Sequence, residues 1–125
     1  MDLAATKAEL AALLDAIPGA GMSIRTRPVT GALKTGDGWI VTRRVEPGPR
    51  FGDATLVTFE ALVVAGAEEA AAEAYSDAHS ATILRTVLHS DLPTSQQSVV
   101  QQSAVVGQAA TPLYILVLTA TVEVE

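Results

Sequence analysis

The two histidines, His79 and His89, stand ten residues apart in a stretch that reads as one helix. Helical metal ligands need a spacing of three or four to share a face, so this pair does not make a metal site. His89, Ser90 and Asp91 supply the residue types of a hydrolytic triad. Adjacent residues, however, do not chain nucleophile, base and orienting carboxylate in hydrogen-bond sequence. A histidine at a helix end, favoured by the C-terminal dipole, is the simpler reading. Glu68, Glu69 and Glu73 could be paired carboxylates for proton transfer, but they fall in the first turns of the same helix, where the dipole stabilises solvated acids. Gly36-Asp37-Gly38 and Pro47-Gly48-Pro49 lack the lysine and the glycine spacing of a phosphate cradle and read as turns. The residues therefore point to no catalytic site, no metal and no cofactor, and the chain is read as a non-enzyme.

The arginines are harder to place. Arg25, Arg27, Arg43, Arg44 and Arg50 all lie in the first half of a chain whose 14 Asp and Glu outweigh 8 Lys and Arg. Arg43 and Arg44 are neighbours in a strand-like run, and strict alternation would send them to opposite faces. Two readings stand side by side. One is solvated charge on a strand edge, which discourages aggregation. The other is pairing with carboxylates of a neighbouring subunit, for which the planar guanidinium is suited. Phe51, flanked by Arg50 and Asp53 at the tip of an expected hairpin, has the character of an interface anchor. Arg43, Arg44, Arg50, Phe51 and Asp53 are accordingly the candidate subunit or partner contacts.

These residues need a scaffold, and 125 residues are enough for a single domain, 1–125, with a core that needs no metal or disulfide. Hydrophobic residues make up 49% of the chain and aromatics 4%, so the core must be assembled from Ala, Val, Leu and Ile. The absence of cysteine excludes thiol chemistry and fits a reducing compartment. A formal charge of −6 disfavours binding to nucleic acid. Met1-Asp2-Leu3 opens no secretory signal, and the apolar run from Leu113 to Val122 is too short for a membrane helix, so a soluble protein is expected.

The elements follow from periodicity. Asp2 can cap a helix whose Leu3, Leu10, Leu14 and Ile17 fall on one face, and Pro18, Gly19 and Gly21 stop it. Met22 to Arg27 reads as a short strand and Val29 to Gly38 as a crossing loop. Trp39 to Val45 and Ala54 to Val64 form a long hairpin, the second arm apolar on both sides as a central strand should be. Ala67 to Ser90 is an alanine-rich helix anchored by Ile83, Leu84, Val87 and Leu88. Gln97 to Gly107 and Leu113 to Glu125 make a second strand pair with a turn near Gln108 to Pro112. In the last strand Tyr114, Leu116, Leu118, Ala120, Val122 and Val124 point one way, and Leu113, Ile115 and Val117 the other. The fold class is α+β: a mixed or antiparallel sheet of about five strands with two helices packed on it, in the order α-β-β-β-α-β-β.

That order, carried by Trp39 to Val64, the helix from Ala67 and the closing Leu113 to Glu125, resembles the tail terminator, or tail-completion, proteins of long-tailed bacteriophages. The resemblance spans essentially the whole chain and rests on layout and length, without a short diagnostic motif. It implies a structural virion protein of the tail-neck region, assembled in the host cytoplasm. Such a protein forms a homo-oligomeric ring, commonly a hexamer, that caps the tail tube, ends its polymerisation and joins it to the head connector. Tail tube protein and head–tail connector are the implied partners, and DNA passes through the channel without specific binding. An acidic lumen would suit that passage. The alternatives are another phage neck or tail-tube component, and a small α+β ligand-binding domain with convergent polar groups in an apolar pocket.

Overall fold

The computed structural model describes residues 2–28, 32–48, 54–104 and 112–124. Helix α1 (Leu3–Asp15) begins where Asp2 Oδ1 accepts a hydrogen bond from the Ala5 amide at 2.7 Å. It ends before Pro18, as the sequence requires. Its buried line is Thr6, Leu10, Leu14, continued by Ile17, whereas Leu3, expected on that face, is largely exposed. Thr6 takes the place because its hydroxyl finds a partner inside the helix, donating to the Asp2 carbonyl at 2.9 Å, and so can be buried at little cost.

Strand β1 (Ser23–Arg25) pairs in parallel with β2 (Asp37–Pro47), which forms an antiparallel hairpin with β3 (Thr55–Gly66). Helix α2 (Glu69–Leu88) follows, then β4 (Thr94–Ala104) and β5 (Leu113–Val124), which are antiparallel to each other. The sheet order is β1-β2-β3-β5-β4, a mixed five-stranded sheet in an α+β fold. The parallel pair needs a crossing connection, and Gly36 anchors it. The Gly36 amide donates to Val64 O at 2.8 Å and its carbonyl accepts from Ser23 N at 2.9 Å, with φ at +96°. A side chain there would drive its Cβ into the Gly21 carbonyl, so glycine is demanded twice over.

β3 lies at the centre and is apolar on both faces. Towards the helices it presents Val57, Phe59, Ala61, Val63 and Ala65. With Leu116, Leu118, Ala120 and Val122 from β5, Leu10 and Leu14 from α1 and Ile83 and Val87 from α2, these make the main core. Fully burying one such Leu, Ile or Phe contributes about 1.5–3 kcal/mol. Leu88, expected to anchor α2, is 61% exposed instead, because the buried face of the helix runs through Ala72, Ile83 and Val87. The alternation expected for β5 holds: Tyr114 to Val124 joins the main core. Leu113, Ile115 and Val117 form a second cluster on the opposite face with Trp39 and Val64, with Leu33 from the crossing connection packed on it.

Candidate functional site

Directly opposed residues in an antiparallel pair share a face, so the register defines what the helix-free side of the sheet presents. One row across it is Trp39, Leu62, Val117 and Val100. The next is Val41, Glu60, Thr119 and Ser98, and the next Arg44, Thr58, Thr121 and Gln96. Glu46, Leu56 and Glu123 follow. The face is thus apolar at one end, where Leu33 packs on it, and polar at the other.

Arg43 sits at an irregularity: the pairing steps from Thr42↔Phe59 to Arg44↔Thr58, leaving Arg43 as an extra residue in β2. A bulge of this kind breaks the strict alternation of side chains. Both arginines therefore reach the helix-free face rather than opposite ones, correcting the sequence expectation. Arg43 Nε donates to Glu60 Oε1 at 2.6 Å, and Arg44 Nη2 lies 3.1 Å from Glu46 Oε2. The arginine side chains remain 55% and 70% exposed, so each pair is worth at most about 1 kcal/mol. Beyond Trp39, β2 has outrun the three-residue β1 and is a free edge among the described residues, and the arginines stand on that edge. Val45 beside them is 55% exposed, though its cross-strand partner Val57 is fully buried. Arg50, Phe51 and Asp53, the other candidate contacts, lie outside the described residues.

Thr58 and Thr121 hydroxyls meet at 3.0 Å across β3 and β5. Beside them a polar recess of about 330 Å³ is lined by Gln96, Gln97, Ser98, Thr119 and Thr121. Sequence reading did not single these residues out. Their signal was present: in β5 the outward positions change from Ile115 and Val117 to Thr119 and Thr121, just where β4 places Ser98 and Gln96 opposite.

The residues weighed for catalysis lie along and at the ends of α2. Ser90 Oγ donates to Val87 O at 2.6 Å and finishes α2, and the His89 amide donates to Arg85 O at 2.9 Å. His79 lies against Tyr75, ring centroids 4.6 Å apart. The Tyr75 hydroxyl donates to Ala20 O at 2.9 Å, tying α2 to the turn between α1 and β1, and burial pushes its pKa above 10.0. Glu68, Glu69 and Glu73 are exposed. Among the described residues no group of three or more His, Asp or Glu is placed to hold a metal ion, and no helix is long and apolar enough to cross a membrane. No family model and no curated protein matches the chain.

Proposed function

We propose that this chain is a structural subunit that acts by assembling with other protein subunits, and that its assembly is the tail terminator ring of a long-tailed phage. In this reading several copies, commonly six, close a ring that caps the tail tube, ends its growth and meets the head connector. It would work in the virion at the tail-neck junction, with no catalytic step. The observation that supports it most is the element order α-β-β-β-α-β-β in a mixed sheet with both helices on one face, the layout that carries the resemblance. The outer half of the β2–β3 hairpin adds to this. Its free edge, with Arg43, Arg44 and the exposed Val45, is a surface for subunit or tube contacts.

A ligand-binding module is the second reading, favoured by the recess at Gln96, Ser98, Thr119 and Thr121. That recess is polar and lies on the sheet surface, outside the aliphatic core where an enclosed pocket would form. Light scattering with negative-stain imaging separates the two. A closed ring with a central hole, near six times 12.9 kDa, is the expected result. A particle without a hole, at every concentration and with tail tube protein added, would overturn the ring.

A further inference from the structure

We propose that β4 is a docking edge for a second copy of this chain, the two strands pairing antiparallel about a twofold axis through Val99 to join two sheets into one. Among the described strands β4 is outermost, paired with β5 on one side, so every second residue turns its amide and carbonyl outward along its free side.

Edges of this kind are normally blunted by charge, proline, bulges or brevity. The opposite edge of the sheet uses all of these: β1 has three residues and is followed by Arg27 and Pro28, and the free length of β2 carries Arg43, Arg44, a bulge and Pro47. β4 has eleven residues, Thr-Ser-Gln-Gln-Ser-Val-Val-Gln-Gln-Ser-Ala, without a charge or a proline. Its irregularity is confined to the first turn of pairing, between Thr94 and Gln96. In a chain of charge −6, a long neutral edge is also where two copies can approach without meeting like charges.

The order of side chains identifies the occupant as this chain itself. Read outward from Val99 in both directions, the strand is nearly the same. A twofold there places Gln97 opposite the second copy's Gln101 and Gln96 opposite its Gln102. Both of these pairs keep matching faces, as a continuous sheet requires. An axis through Val100 would instead set Ser98 against Gln102 and Val99 against Gln101, losing the match. In the Val99 register Ser98 faces the second copy's Val100, which is 54% exposed in the single chain.

The Gln97 amide supplies an independent observation. Its Nε2 donates to Leu84 O at 3.1 Å, while its Oε1 is buried without a hydrogen-bond partner among the described residues. The register centred on Val99 sets the second copy's Gln101 directly across from Gln97, and the Gln97 amide meets it by turning its oxygen outward from this unsatisfied position. Opposed glutamines forming side-chain amide bonds are a recurrent stabiliser of stacked strands.

The inference stands apart from the ring reading. Twofold pairing is closed in itself, and a ring built from such pairs also needs a head-to-tail contact and has an even number of subunits. Gln96 and Gln102 are both exposed, so charges there leave the fold intact and act at the edge. Light scattering over a wide concentration series should give twice 12.9 kDa, or an even multiple, for the unaltered chain. Q96K/Q102K, which sets four like charges around the axis, should halve the mass. Q96K/Q102E, which sets opposite charges face to face, should restore it. A monomeric unaltered chain, or a Q96K/Q102K variant with unchanged mass, would overturn β4 pairing, and in the second case a surviving ring leaves the ring reading standing. A dimer that never grows, yet falls apart in Q96K/Q102K, would do the reverse.

Discussion

Arg43 Nε lies 2.6 Å from Glu60 Oε1 across the β2–β3 ladder, at the one position where β2 carries an extra residue. Alternation from Trp39 and Val41 already puts Arg43 on the face that Glu60 occupies, and the bulge brings Arg44 to that face as well. Short as the contact is, one partner is 55% exposed and the other 26%, and water competes for both. A double-mutant cycle with Arg43→Ala and Glu60→Ala should therefore give a coupling of about 0.2–1 kcal/mol that shrinks with added salt. A coupling well above that range in the isolated chain would mean the pair is held by more than its own attraction.

The bulge also marks where sequence reading stopped. Alternation alone sent Arg43 and Arg44 to opposite faces, and nothing in Thr42-Arg43-Arg44-Val45 announces an extra residue, because a bulge is a property of two paired strands. β5 was legible because one strand held both patterns, with Leu116 and Val122 facing the helices and Ile115 and Val117 facing away. Leu3 and Leu88 were misjudged for the same reason as each other. Both lie in the terminal turn of a helix beside its buried face, which runs through Thr6, Leu10 and Leu14 in α1 and through Ile83 and Val87 in α2. The polar surface at Ser98, Thr119 and Thr121 needed the β4–β5 register, which the amino-acid order does not state.

Gly36 joins β1, β2 and β3 through its backbone, and its conformation and its surroundings both exclude a side chain. Gly36→Ala should cost about 3 kcal/mol or more, since a left-handed φ and a collision with backbone act together. Gly19→Ala is the control: its φ is +76° but a Cβ there meets nothing within 4 Å, so about 1 kcal/mol is expected. Urea denaturation of both variants measures the contrast. Equal losses would show that the crossing connection yields to the added methyl.

Tyr75 should make the fold sensitive to alkali. Burial raises its pKa, so the folded state holds the phenol proton more tightly than the unfolded chain does. The stability linked to it is fully present below pH 10.0 and is lost as the pH rises through the higher folded value. Tyr75→Phe removes that dependence and, by deleting the bond to Ala20 O, should cost about 1 kcal/mol at neutral pH. Urea midpoints of the two proteins on either side of pH 10 supply the test, and parallel curves would contradict the assignment.

Gln97 links the fold to the β4 edge. A buried oxygen without a donor costs about 1–3 kcal/mol, whereas the bond from Nε2 to Leu84 O returns about 1 kcal/mol. In a chain kept monomeric by Q96K/Q102K, replacing the amide with an apolar group of similar size removes both terms and adds contact beside Val99 and Leu84. Gln97→Leu should then be neutral or stabilising by up to about 1 kcal/mol in that background. In the unaltered chain the same substitution removes the amide set opposite the second copy's Gln101, so it should weaken self-association. Paired urea and light-scattering measurements read the two effects separately. A Gln97→Leu change that destabilises the monomer and leaves association untouched would show that the amide serves the single chain, and would remove its support for pairing at β4.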